Sequence, residues 1–173
     1  MFPAVFLDRD GVLNHVFVRD NKPYSPNLFQ DFTLYDDVLS SLNILKKSGY
    51  LLVVITNQPE LVRGGLSISE LQKMNDYLLE KLPLNDIFVC SHDNQDLCLC
   101  RKPKAGMILK AQTKWQIDLK KSYFIGDTWK DMEVGRAVGC HTILLDRPYN
   151  QGVASDFNCK NLADAANYIL NSY

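Results

Sequence analysis

The segment Pro3-Ala4-Val5-Phe6-Leu7-Asp8-Arg9-Asp10-Gly11 decides the fold class. Its first five residues are an apolar run bounded by a turn residue, the pattern of a short buried strand, and Gly11 ends it by permitting a sharp backbone turn. Two carboxylates one residue apart therefore stand where a strand leaves the sheet, the usual place for a ligand in open α/β folds. There one acid can serve as nucleophile while its neighbour works as general acid and base. Taken alone, the segment also reads as an ordinary surface Asp-x-Asp-Gly turn, since Asp and Gly are favoured turn residues.

Working outward, apolar runs alternate with helix-period segments, which predicts a parallel sheet with crossover helices. Val38, Leu39, Leu42 and Leu45 mark one helix face, and Gly49 terminates it. A strand over 51–55 follows, ending in Thr56-Asn57-Gln58. Ser67 with Glu70 three residues on predicts a capping box that opens a helix with Leu71, Met74, Leu78 and Leu82 on one face. Further strands are predicted at 86–89, 122–125 and 141–145. Helices are predicted through Met107, Ile108, Ala111 and Trp115, over 132–138 and over 162–170. The expected architecture is a three-layer α/β/α sandwich around a mainly parallel sheet, with residues 1–173 forming one domain. Residues 15–31 read as a polar, proline-containing loop.

Composition narrows the class. A chain of 173 residues can bury a substantial core without a covalent staple. The net charge of -1 gives no reason to expect a nucleic acid or an anionic membrane as partner. No stretch approaches the roughly 20 apolar residues that span a bilayer, and Met1-Phe2-Pro3 has no basic region ahead of an apolar signal core. The expectation is a soluble, monomeric, cytoplasmic enzyme acting on a small molecule.

Five cysteines, an odd number, argue against a disulfide framework in such a chain. Cys140 reads as a small core residue, and His141 as a packing or hydrogen-bonding one. The other informative set is Cys90-Ser91-His92 with Cys98-Leu99-Cys100: three thiols and an imidazole within eleven residues. Cys-x-His followed by Cys-x-Cys can fold onto one tetrahedral zinc, and four protein ligands make such a site closed and structural. The loop at 90–100 would then anchor the cations that follow it, Arg101 and Lys102.

The order of these segments carries a resemblance. Phe6-Leu7-Asp8-Arg9-Asp10-Gly11, the strand ending in Thr56, Arg101-Lys102-Pro103, and Tyr123-Phe124-Ile125-Gly126-Asp127 with Asp131 four residues on together resemble the haloacid dehalogenase superfamily of phosphohydrolases. The likeness runs from Phe6 to about Tyr149. It implies that Asp8 attacks phosphorus to form an aspartyl-phosphate. Asp10 would protonate the leaving alcohol and then deprotonate the water that resolves the intermediate. It implies magnesium on Asp8, Asp127 and the main-chain carbonyl of Asp10, with Asp131 supporting. Thr56 would donate to the transferring phosphoryl oxygens and Lys102 would neutralise them. For this acid/base division Asp8 must be ionised and Asp10 protonated near neutral pH, so their environments must push the two apart. Asp131 also reads as an exposed acid on a first helical turn, where the helix dipole favours it.

Within the superfamily, Cys-x-His…Cys-x-Cys-Arg-Lys-Pro together with Thr-Asn-Gln and Gly-Asp-x-Trp-x-Asp resembles the branch holding heptose 1,7-bisphosphate phosphatases and histidinol-phosphate phosphatases. Carried over, Arg101 recognises the distal part of the substrate, Asn57 and Gln58 line the pocket, and the segment from Asn14 to Arg19 contacts the sugar. Arg19 reads equally as a second-phosphate contact or a solvated loop arginine. No gap has room for a large cap domain, which disfavours a mutase. Two departures stand out: Pro59-Glu60 replaces the branch's common Ser-Gly, and the zinc loop is short. The implied activity is hydrolysis of a heptose bisphosphate. Histidinol phosphate is the alternative substrate, and a non-catalytic, zinc-stabilised binding module is the alternative of another class.

Overall fold

Alternation along the first strand sets up the layers. In β1 (Ala4–Leu7) every residue is buried, Val5 and Leu7 in one apolar cluster and Ala4 and Phe6 in another, because successive strand side chains point to opposite faces. Such a strand needs cover on both sides. The computed structural model, which describes residues 1–172, supplies it. Along the chain follow β2 (Phe17–Arg19), β3 (Lys22–Tyr24), α1 (Val38–Lys47), β4 (Leu51–Asn57), α2 (Glu60–Arg63), α3 (Ile68–Lys81), β5 (Asp86–Cys90), α4 (Gly106–Trp115), β6 (Tyr123–Gly126), α5 (Trp129–Val138), β7 (His141–Leu145), β8 (Phe157–Cys159) and α6 (Leu162–Asn171). Helices α1, α3 and α6 bury Leu42, Met74 and Ile169 in the cluster of Val5 and Leu7, while α4 and α5 bury Ile108 and Val134 in that of Phe6. Each such side chain contributes about 1.5–3 kcal/mol on burial.

The main sheet has the order β5-β4-β1-β6-β7-β8 with every pairing parallel. The chain leaves β1 toward β4 on one side and later returns to β6 on the other. The strand order therefore reverses beside β1, and this is the switch point at which such sheets open a ligand crevice. Leu7 pairs with both Val54 and Ile125, so the ends of β1, β4 and β6 bring Asp8, Thr56 and Asp127 together.

The structure departs from the sequence expectation in several places. Residues 15–31 are not a plain loop: β2 and β3 form an antiparallel hairpin in which Val18 faces Pro23. A proline is admissible there because each strand has a free edge. The short α2 begins after Pro59, whose φ of -68° suits a helix start. The three-residue β8 extends the sheet at its edge. Helix α5 starts at Trp129, three residues earlier than the periodicity predicts, because Thr128 caps it and Asp131 closes the cap. Ser67 accepts from the Glu70 amide as expected, yet the Glu70 carboxylate turns away to accept from Phe29 N at 2.5 Å and to pair with Lys73. His141 packs its ring 5.3 Å from that of Tyr123. Burial pushes the Cys140 thiol up to about 12, as suits an inert core residue. Among the described residues no helix is long and apolar enough to cross a membrane.

One glycine governs how the sheet end meets the site. A Cβ on Gly126 would stand 2.2 Å from Cβ of Asp131, so only glycine lets the first turn of α5 fold against the end of β6. Gly126→Ala should therefore destabilise the chain by about 1–3 kcal/mol through overpacking and displace Asp131, measured by urea unfolding monitored by circular dichroism.

Candidate active site

Asp8 leaves the end of β1 with its Oδ1 held by the Lys102 ammonium at 2.8 Å and by the Arg9 amide at 2.7 Å. The same ammonium reaches Asp131 Oδ1 at 2.7 Å. Lys102 is 3% exposed, Asp131 0% and Asp8 13%, so this is a buried bridge between two acids. Asp131 spends its other oxygen on Thr128, accepting from the amide at 3.0 Å and the hydroxyl at 2.6 Å. It is therefore not a solvated first-turn acid: it holds the buried Lys102. Asn57 fixes the lysine from below, donating to Lys102 O at 3.2 Å and accepting from Lys102 N at 3.0 Å.

Asp10 has its own counterion. The fully buried Arg9 guanidinium grips it through both oxygens at 3.0–3.1 Å and lies 5.4 Å from the centroid of the Phe32 ring. Asn14 donates to Asp10 Oδ1 at 2.9 Å, and Gln58 to Oδ2 at 2.6 Å and to Thr56 Oγ1 at 2.9 Å. Burial raises the Asp10 carboxyl, but the Arg9 charge and these donors outweigh it and hold the group below its usual value. Asp8 goes the other way: burial pushes it up to about 7 against the pull of Lys102, with Asp131 and Asp10 adding to the rise. The two environments thus push the pair apart in the opposite sense to the sequence expectation. The cause is a buried arginine that pairs with Asp10, and at Asp8 burial first, with neighbouring carboxylates adding to it.

That crowd describes a cation site. Carboxylate oxygens of Asp8, Asp127 and Asp131 lie within 4.8 Å of one another, and burial with the charges of Asp8 and Asp131 drives the Asp127 carboxyl well above its usual range. Asp127 is 1% exposed and its Oδ1 has no hydrogen-bond partner. Three carboxylates and one ammonium leave two negative charges, which a divalent cation would neutralise. An all-oxygen donor set suits magnesium.

The second cluster also fits its expected ion. Cys90, His92, Cys98 and Cys100 offer three sulfurs and Nδ1 of the histidine within 4.8 Å of one another. The Cys90 and Cys98 sulfurs are 3.8 Å apart and His92 Nδ1 is 3.6 Å from the Cys90 sulfur, close to the edges of a tetrahedron with ~2.3 Å metal–sulfur bonds, while the Cys100 sulfur stands nearer, 3.2 Å from both His92 Nδ1 and the Cys90 sulfur. The set is compatible with zinc. Lys104 and Arg101 brace this loop through Cys98 O, His92 O and Asn94 Oδ1.

The residues expected at the substrate sort by position. Asp8, Asp10, Asn57, Arg101, Lys102 and Asp127 line a cavity of about 180 Å³. Thr56, Asn14 and Gln58 are buried behind it, and the side-chain amides of Asn14 and Gln58 are committed to Asp10. Asn14 thus supports the acid through Nδ2, while its Oδ1 has no hydrogen-bond partner. Arg19 stands apart from this cavity, on an adjoining groove of about 550 Å³ between the hairpin and α2. Hairpin residues Val16, Pro23 and Ser25 cover the cavity, and Lys130 adds a cation at its wall. Val16 falls in the segment from Asn14 to Arg19 expected at the sugar, whereas the sequence assigns no role to Pro23, Ser25, Lys130 or Arg9. A charged residue beside two acids reads as solvated unless its burial is seen. Glu60, the acid that replaces the branch's glycine, is neutralised by Arg63 at 2.9 Å, and Arg63 also clamps Asp93 of the zinc loop.

A family model described as polynucleotide kinase 3 phosphatase matches residues 6–171. A D-glycero-alpha-D-manno-heptose-1,7-bisphosphate 7-phosphatase of Campylobacter jejuni is 37% identical over 147 residues, 82% of this chain and 81% of that protein. A D-glycero-beta-D-manno-heptose-1,7-bisphosphate 7-phosphatase of Helicobacter pylori is 34% identical over 173 residues, 96% of each. Among solved structures, the D,D-heptose 1,7-bisphosphate phosphatase from B. bronchiseptica complexed with magnesium and phosphate aligns with a TM-score of 0.85 at 25% identity, over 99% of both chains. The chain belongs to the polynucleotide kinase 3 phosphatase family within the haloacid dehalogenase superfamily.

Proposed function

We propose that this chain hydrolyses the 7-phosphate of D-glycero-D-manno-heptose 1,7-bisphosphate through a phosphorylated Asp8. The observation that carries the reading is Asp8 at the switch point, bridged by buried Lys102 to Asp131, in a chain whose relatives over most of its length bear that name. The small cavity supports it: about 180 Å³ takes a phosphoryl group and part of a sugar, leaving the rest under the hairpin or in the adjoining groove.

An anion attacking an anion must overcome about 4 kcal/mol per charge pair at 4 Å and an effective dielectric near 20. Lys102 supplies one fixed positive charge at the attacking carboxylate, Arg101 and Lys130 add charge at the cavity wall, and the Thr56 hydroxyl lies behind the cavity at the end of β4. Magnesium held by Asp8, Asp127 and the carbonyl of Asp10 would supply the remaining neutralisation and keep Asp8 ionised. Asp8 forms the new bond to phosphorus as the bond to the sugar oxygen breaks, and Asp10 gives that oxygen a proton. Arg9 and two amides keep Asp10 anionic in the free protein, so it takes up this proton when a phosphate dianion adds negative charge nearby. With the sugar gone, Asp10 removes a proton from water, which attacks phosphorus and frees Asp8. Zinc on Cys90, His92, Cys98 and Cys100 would hold the loop that presents Arg101 and Lys102.

Phosphate release with magnesium, measured on both anomers of the heptose bisphosphate, histidinol phosphate and hexose phosphates, should favour a heptose bisphosphate by 100-fold or more, about 2.7 kcal/mol of discrimination. Equal or better turnover of histidinol phosphate would replace the substrate assigned. Asp8→Asn should abolish phosphate release while metal-free stability stays level or rises, since it relieves the carboxylate crowd; retained turnover would remove Asp8 as nucleophile. Elemental analysis of protein purified without chelators should give one zinc per chain, and stripping it should lower both melting temperature and activity. Protein that is active, stable and zinc-free would sink that site.

A further inference from the structure

The segment after β7 returns to the acidic cluster and touches it at three points. Arg147 donates to Gly11 O from Nε at 3.2 Å and from Nη2 at 2.8 Å. The buried Asn150 donates through Nδ2 to Asp127 O and to Leu145 O, each at 2.8 Å. Between them, on a short 3-10 turn (Pro148–Asn150), Tyr149 donates its hydroxyl to Asp127 Oδ2 at 2.5 Å.

The result is an asymmetric carboxylate. Oδ2 of Asp127 is held by a phenol, and Oδ1, buried with no partner, is the oxygen left for a ligand. The surroundings are shaped to permit this. Gly11 has φ +85°, and a Cβ there would stand 2.0 Å from Asp127 Oδ2 and 2.9 Å from Tyr149 Oη, so the turn after the two catalytic acids makes room for the pair. A phenol suits the position chemically, since it is a neutral donor at physiological pH. It orients the acid without adding a positive charge to compete with a cation, as a lysine or arginine would.

We propose that Tyr149 is a positioning residue for the divalent cation: its hydroxyl fixes the Asp127 carboxylate so that Oδ1 faces the ion. Groups that hydrogen-bond a metal-ligating side chain commonly account for a 10–100-fold factor in metal affinity. This inference rests on the magnesium reading above, and the two are separated by testing the unmutated chain first.

The test is calorimetric titration of magnesium into metal-free protein, unmutated and Tyr149→Phe, with thermal unfolding of each in the absence of metal. The substitution removes one oxygen and keeps the half-buried ring. The expected result is a magnesium Kd about 10–100-fold weaker in the variant, an unchanged metal-free melting temperature, and a rise of the same size in the magnesium concentration that half-activates phosphate release. A variant Kd within twofold of the parent's would overturn the role of Tyr149 alone. So would a variant that fails to fold or loses metal-free stability at unchanged Kd, since the hydroxyl would then serve the fold and not the ion. If the unmutated chain binds no magnesium, the metal reading falls and this inference with it.

Discussion

A single ammonium group organises this protein. Lys102 Nζ sits between Asp8 and Asp131 with almost no access to water, and burying such charges costs several kcal/mol per ion unless partners and hydrogen bonds compensate. The compensation is spread over four segments: β1 gives Asp8, the turn after β6 gives Thr128, α5 gives Asp131, and β4 gives Asn57. Asp8 and Asp131 partner the ammonium itself, Thr128 fixes Asp131, and Asn57 fixes the lysine's backbone, so the bridge ties the ends of β1, β4 and β6 to the start of α5.

The bridge is also deliberately short of positive charge. The single charge of Lys102 faces three carboxylates, Asp8, Asp127 and Asp131, and burial together with their mutual repulsion raises the carboxyls of Asp8 and Asp127. A second lysine would have relaxed the cluster and left nothing for a metal ion to gain by entering. Asp10, two residues from Asp8, is treated oppositely: Arg9 neutralises it in full. One acid is paired with its own cation and one cluster is left with a surplus of carboxylates, so the two neighbouring aspartates stand in opposite electrostatic settings.

Much of this was legible because strand ends are. Apolar runs identified β1, β4 and β6 as buried strands, and in a parallel sheet the residues just beyond such strands converge whatever lies between them in sequence. Asp8, Thr56 and Asp127 follow from that, and the convergence of Cys90, His92, Cys98 and Cys100 follows from their own spacing. What escaped has a common physical character. Arg9 is a cation whose burial depends on Asp10, Phe32 and the chain folding over it. The β2–β3 hairpin is exposed and contains Pro23, so no apolar alternation announces it. Asn14 and Gln58 carry the same amide whether it faces a sugar or supports an acid, and only the fold tells which. Tyr149 reaches Asp127 across 22 residues and a strand, a contact that no local pattern encodes.

The hairpin and the cysteine-rich loop frame the cavity. Pro23 lies against the cavity and the groove beside it, while Arg63 ties α2 to Asp93 of the 90–100 loop. The Pro59-Glu60 departure belongs to this arrangement: the proline starts α2, and Glu60 with Asp93 holds Arg63 across to the loop. Cover is therefore built from short elements pinned by charge pairs, without a separate domain that must close. Such cover admits a small phosphorylated substrate whose far end stays near solvent. What a bound molecule meets there is then the fixed cations Arg101, Lys102 and Lys130 and the shape of the hairpin, the cover that the described residues provide.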